Sequence, residues 1–302
     1  MKQLLSLAVL LSILPGFAFS ADKKSVVVPI ELHEDHVYVR VQVNQSEPLW
    51  FLVDSGAGTP VNLLDRKVAE RLGLPVEGEK LAGAIGGSAR VAFTPAVTLK
   101  VGPLILPEAK LGVMALSDQE AAEKHRVDGI LGFPFFVAGN PEIDYRNHRM
   151  RLSESPVLRR TAESVPFDLV AKSCRIHAEL TLRPGQSPVP VALIVDTGYD
   201  GSLVLNAPFV EQHQLLQFAS ASISGESLGG TTEGAKLQIP ALKIGNRVIR
   251  KIESRLSTDK EGAFSTSEVD GYIGSGLLKR YSVHFDYKHK RLVLKRLGKG
   301  GL

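Results

Sequence analysis

Valine at positions 37, 39, 41 and 43 alternates with Tyr38, Arg40 and Gln42, and Ile176, Ala178, Leu180 and Leu182 alternate with His177, Glu179 and Thr181. A period of two predicts strands with one buried face. Each run is followed by a loop of Asn, Ser, Gly and Pro, NQSEP from Asn44 and RPGQSPVP from Arg183. The chain then returns through the apolar runs Leu49–Val53 and Val191–Val195, as hairpins do. A helical period is clearest over residues 62–75, NLLDRKVAERLGLP, where Leu64, Val68 and Leu72 share a face and Gly73 and Pro75 mark the end. Its counterpart, NAPFVEQHQLL from Asn206, is weaker. The pattern predicts a mainly β chain with one helix in each half.

The halves are copies of one unit. Asp54 and Asp196 are 142 positions apart (196 − 54), as are the starts of DGILG at Asp128 and DGYIG at Asp270 (270 − 128). The strings IDYRNHRMRL from Ile143 and FDYKHKRLVL from Phe285 keep the same offset. TLKVG and ALKIG, ending at Gly102 and Gly245, are shifted by 143 (245 − 102), which one compensated insertion explains. Four matches in one order describe a tandem duplication joined around SESPVLRRTAESVP. The expected division is a signal peptide over residues 1–20, a first lobe over 21–157 and a second over 158–302.

The opening segment has a lysine, an apolar run and Ala18-Phe19-Ser20 ahead of Ala21, the small-x-small pattern of a cleavable export signal. It is short for a membrane span and broken by Pro15 and Gly16, and no later stretch is apolar enough to cross a bilayer. A periplasmic or secreted protein is expected. Cys174 is the single cysteine, so an internal disulfide is excluded and a small buried hydrophobe is the expected role. The net charge of +4 owes part of its excess to the terminal YKHKRLVLKRLGKGGL, where alternation reads as a solvated edge strand. Without aromatic interleaving it does not suggest nucleic-acid binding.

Both apolar strands end in an acid, a hydroxyl and a glycine: FLVDSGAG at residues 51–58 and LIVDTGYD at residues 193–200. A carboxylate at the end of a buried strand is costly alone. In two lobes packed about a pseudo-two-fold axis, Asp54 and Asp196 come side by side, and two adjacent carboxyls share one proton. The ionised partner can take a proton from water while the protonated one donates to a carbonyl oxygen, which is general acid–base attack on an amide. Ser55 and Thr197 would hydrogen-bond across the axis, and Gly56 and Gly198 would let backbone N–H groups approach the acids.

These strings, with the downstream signals Ile130–Gly132 and Tyr272–Gly274, resemble the pepsin and retropepsin class of aspartic peptidases once per lobe. The resemblance implies an all-β fold of two pseudo-symmetric retropepsin-like β-barrel lobes with short helices and an active-site cleft between them. It implies an aspartic endopeptidase with Asp54 and Asp196 as catalytic dyad, supported by Ser55, Gly56, Thr197 and Gly198, with no metal and no organic cofactor. GAIGG and ESLGG look like the glycine-rich flap tips of retroviral proteases, which assigns Ile85, Gly86 and Gly87, and Leu228, Gly229 and Gly230, to flaps over a peptide or protein substrate. Ala57 fits the family's small residue after the glycine and Tyr199 departs from it. Because neither offers a hydroxyl to the acids, the resemblance implies a working pH nearer neutral than pepsin's.

Tyr199 either narrows a subsite or marks a drifted lobe. The alternative reading is therefore a non-catalytic periplasmic module that binds a peptide or protein in the same cleft. A monomer acting as an internal pseudo-dimer is expected, against a third arrangement in which lobes of two chains meet. Asp128 and Asp270 read as turn or helix-start residues bracing the active strands, and Asp144 and Asp286 as structural. Asp200, which has no counterpart in the first copy, is assigned no catalysis. His33 and His36 in HEDH lack the spacing of a helical zinc pair and read as solvated hairpin residues, with His125, His148, His284 and His289 scattered among charges.

Overall fold

A computed structural model of the chain describes residues 18–19, 25–84, 87–116, 125–154, 163–227 and 230–296. The fold is mostly β with short helices, built from one motif used twice. In the first copy the Leu49–Val53 strand pairs antiparallel with His36–Val43 and parallel with Gly129–Leu131, placing Phe51 opposite Gly129 and Val53 opposite Leu131. In the second, Val189–Asp196 pairs antiparallel with Ser173–Thr181 and parallel with Gly271–Gly274, placing Leu193 opposite Gly271 and Val195 opposite Ile273. The two parallel ladders have one register, displaced by the repeat.

The apolar alternation places Val37, Val39, Val41 and Val43 in the main core, together with Ile176, Ala178, Leu180 and Leu182. The first of these strands is less one-sided than its period suggests. Tyr38 is fully buried on the opposite face in a second cluster with Leu52, Leu63, Val91, Met114, Leu116, Val127 and Ile130. Its ring stacks on that of His125, with centroids 4.1 Å apart. Cys174 is completely buried, the place expected of a small hydrophobe.

The helix expected over residues 62–75 is shorter. Asn62–Asp65 is a strand, parallel to Leu111–Met114 and antiparallel to Gly129–Leu131, and only Arg66–Arg71 is helical. Ladder bonds on both sides of the strand outweigh helix propensity there. Asp65 ends the strand and caps the helix, accepting from the amides of Lys67 and Val68 at 2.9 and 3.2 Å. The weaker counterpart forms a helix over Ala207–Gln212. One helix per copy is also an undercount, because Phe133–Gly139 and Ser275–Leu278 are short helices that follow Gly132 and Gly274. Pro134 in the first turn of the former needs no amide partner, and Phe136 packs edge-on against Phe285 of the other copy at 5.0 Å.

The copies are joined by a six-stranded sheet ordered Ser164–Pro166, Arg291–Arg296, Tyr281–Asp286, Glu142–Asp144, Arg149–Ser153 and Ser25–Pro29. At its centre Glu142 lies opposite His284, its own equivalent in the repeat, so the pseudo-two-fold axis passes between them. The expected signal segment lies outside the described residues except for Ala18 and Phe19, which pair with Ile105 and Leu104.

Candidate active site

Asp54 follows the Leu49–Val53 strand, and Asp196 ends the Val189–Asp196 strand. Each is braced from behind by the next repeated turn of its lobe. The Asp128 carboxylate accepts from the Trp50 amide at 2.8 Å, and that of Asp270 accepts from the Ala192 amide at 2.7 Å. The Asp128 and Asp270 amides return hydrogen bonds to the carbonyls of Trp50 and Ala192. These acids brace the active strands, as their position suggested. Asp144 and Asp286 hold the tight turns at the ends of their strands through Asn147, Arg149 and His289.

The two halves meet through a reciprocal network. The Ser55 amide donates to the Thr197 hydroxyl at 3.0 Å, and the Thr197 amide donates to the Ser55 hydroxyl at the same distance. Each hydroxyl then donates to the strand of the opposite lobe, Ser55 to the Val195 carbonyl at 2.7 Å and Thr197 to the Val53 carbonyl at 2.6 Å. Both side chains are buried, and every one of these donors is satisfied across the axis.

This network brings the acids together, and the Asp54 and Asp196 carboxyls hydrogen-bond each other. A Cβ at Gly56 would overlap the carboxyl of Asp196, and one at Gly198 would overlap that of Asp54. Neither glycine has positive φ, so close approach rather than backbone conformation demands them. The surroundings of the acids are unequal. Asp54 accepts from the amides of Gly56 and Ala57 at 2.8 and 2.9 Å, whereas Asp196 accepts from the Gly198 amide at 2.8 Å.

Burial raises both carboxyls above the ordinary aspartate range. The charge of Asp54 pushes Asp196 well above it, while the hydrogen bond from Asp196 and the two backbone amides pull Asp54 back down. Two backbone amides on Asp54 against one on Asp196 favour the ionised form at Asp54, and each carboxyl acts on the proton affinity of the other.

A stability prediction follows from this direction. Between the ordinary and the raised carboxyl range the native state binds more protons than the unfolded chain, so stability falls as pH rises through that window. Asparagine at position 196 keeps a donor toward Asp54 and removes the titration. The melting temperature of Asp196→Asn relative to the parent is expected to rise between about pH 4 and about pH 8. A difference independent of pH would show that Asp196 carries no raised pKa.

Two participants were not legible in the sequence. His36, read as a solvated hairpin residue, is only 6% exposed, and its Nε2 lies 3.1 Å from the Gly198 carbonyl of the other lobe. Its charge, when protonated, favours ionisation of both acids. Ser173 does the pseudo-symmetric task, donating its hydroxyl to the Gly56 carbonyl at 2.9 Å. Each starts the second strand of its lobe's first hairpin, and packing of the lobes carries it to the opposite loop. His125 stacks among Tyr38, His33 and Trp50 and contacts Glu31 at 3.1 Å.

Tyr199 follows Gly198, and its ring lies over Gly201 and Gly274, where a Cβ would collide with it. The centroid of Phe264 is 6.2 Å away. The ring is thus accommodated by glycines of its own lobe. Of the expected flap residues, Ile85, Gly86, Leu228 and Gly229 lie outside the described residues. Gly87 and Gly230 begin the returning strands of two hairpins, Glu77–Ala84 with Gly87–Phe93 and Ala221–Ser227 with Gly230–Ile244.

Residues 39–135 match the family model described as aspartyl protease. Over those residues, which make up most of the first lobe, the chain is similar to the aspartyl proteases. No curated sequence matches it significantly. Among solved structures it is similar to the aspartic proteinase from Irpex lacteus, with a TM-score of 0.56 at 15% identity, covering 91% of this chain and 98% of that one. At that identity the likeness is one of fold. The family match over the first lobe and the fold together support a peptidase function.

Proposed function

We propose that the chain is an aspartic endopeptidase in which Asp54 and Asp196 activate a water. The single observation that carries this reading is the closely apposed pair of carboxyls, one from each lobe, with unequal hydrogen-bond surroundings and raised proton affinities. Asp54 accepts a proton as the water oxygen bonds to the peptide carbonyl carbon, and Asp196 gives its proton to the carbonyl oxygen. In the resulting gem-diol the C–N bond breaks as Asp54 returns its proton to the leaving nitrogen. A hydroxyl of the diol reprotonates Asp196 as the new acid forms. One water is consumed and the dyad is restored.

The substrate would lie extended between the lobes, pairing like a strand with the two hairpins that carry Gly87 and Gly230. Both acids come from one chain, which supports a monomer whose specific activity is constant on dilution. Export to the periplasm or beyond is part of the same proposal and rests on the N-terminal signal pattern.

The decisive experiment is cleavage of a diverse peptide library by the mature chain from about pH 4 to about pH 8, beside Asp54→Asn and Asp196→Asn. The parent is expected to cut internal bonds. Each variant, still folded, should lose at least about 10²-fold in kcat/KM. Equal turnover by parent and both variants would overturn the dyad, and a requirement for only one acid would overturn the shared-proton mechanism.

A further inference from the structure

We propose that Arg255 forms a carboxylate-binding subsite in the second lobe, so that the peptidase prefers an acidic substrate residue at one position beside the scissile bond. The inference rests on the peptidase reading above and specifies its substrate class.

Arg255 lies on the Arg247–Ser257 strand, paired in parallel with Leu203–Leu205, so that it stands beside Val204. Its neighbours Ser254 and Leu256 are buried, and Leu256 belongs to the main core. By strand alternation Arg255 takes the other face. Its Nη1 lies 3.8 Å from where a Cβ of Gly225 would be, and its Nε lies 3.4 Å from that of Gly234. Both glycines are in the hairpin that carries Gly230. The guanidinium therefore sits beneath that hairpin, and its charge reaches Tyr199, three residues past Asp196, lowering the proton affinity of that phenol.

What distinguishes this arginine is its missing partner. Its Nε and Nη2 are buried with no hydrogen bond among the described residues. Those two atoms form the side-on fork that binds a carboxylate in a bidentate manner. Arg175 of the same lobe shows the occupied version, donating from Nε and Nη2 to the two oxygens of Asp168 at 2.8 and 2.6 Å. Burying such a fork unsatisfied is unfavourable, and an incoming carboxylate would satisfy it. The nearby Glu253 is already bound by Lys236 at 3.0 Å.

The first lobe supplies the contrast. Val204 lies opposite Tyr272 and beside Arg255, and Leu63 lies opposite Ile130 and beside Gly112, which makes Gly112 the counterpart of Arg255. The three atoms nearest to a Cβ at Gly112 would all be apolar, from Val91, Leu63 and Val61. Ala57, the counterpart of Tyr199, packs against the same apolar cluster. The duplicated site thus has one apolar wall and one cationic wall, which gives a peptide a preferred direction as well as a preferred charge.

The test uses a set of short peptides in which each position on either side of a common central bond is scanned with Glu, Gln and Leu. Cleavage is followed for the parent, Arg255→Gln and Arg255→Lys, and binding is measured with reduced-amide versions of the same peptides. At one position the parent should favour Glu over Gln by about 10- to 100-fold in kcat/KM and in affinity. Arg255→Gln should bring the two within about twofold, while Arg255→Lys keeps part of the preference. Cleavage without an acidic preference, or a preference that survives in Arg255→Gln, overturns the subsite and leaves the peptidase standing. Arg255-dependent binding of the Glu peptides without cleavage supports the subsite and overturns the peptidase instead. Absence of both binding and cleavage overturns the two together.

Discussion

Alanine at Gly56 or at Gly198 is expected to lower kcat/KM for peptide cleavage by at least about 10²-fold, the size of effect that an ångström of misplacement in a catalytic group produces. The cause is steric and symmetric. The new methyl at Gly56 would occupy the space of the Asp196 carboxyl, and the methyl at Gly198 that of Asp54. Since neither residue has positive φ, the backbone itself tolerates alanine, so the damage should fall on the dyad. Circular dichroism and thermal melts would establish that the variants fold, and steady-state kinetics with a substrate of the parent would read the loss. A Gly56→Ala chain retaining half the parent's activity would show that the acids do not stand as close as the structure has them.

The second large effect is on stability. Thr197→Val preserves shape but removes the acceptor of the Ser55 amide and the donor to the Val53 carbonyl, leaving both without a partner in a buried place. Each unsatisfied group costs about 1–3 kcal/mol, so a loss of roughly 2–5 kcal/mol is expected. Thr197→Ser keeps both hydrogen bonds and should lose about 0.5–1.5 kcal/mol for the missing methyl. Urea denaturation of the three chains gives the comparison. If the valine and serine variants unfold at the same midpoint, the bonds across the axis contribute nothing to holding the lobes together.

Much of this arrangement could be read before any coordinates. The 142-residue offset is a property of the chain, and the parallel ladders at Phe51–Gly129 and Leu193–Gly271 reproduce it. The acids, hydroxyls and glycines were visible because they recur at equivalent places after apolar strands. Local competition was harder to read. Residues 62–65 carry a helical spacing, yet ladder bonds to Leu111–Met114 and Gly129–Leu131 make them a strand. The run FPFFVAG has no polar stripe to betray its helix, because Phe135 and Phe136 are both buried.

Long-range partners left no sequence signal at all. His36 and Ser173 are ordinary hairpin residues until the opposite lobe brings a glycine carbonyl to each. Arg255 falls within a run rich in charged residues, KIESR, in which nothing local singles it out, and only the sheet turns it beneath a hairpin.

The amino-acid sequence by itself determined the duplication, the strands and the identity of the paired acids, since these depend on hydrophobic periodicity and on residue types repeated at one spacing. Tertiary structure alone decided that the acids meet, that backbone amides are divided unequally between Asp54 and Asp196, and that Arg255 stands where the first lobe has Gly112. Those properties arise from burial and from the order in which distant segments approach, and no local pattern of residues encodes a distance across an axis.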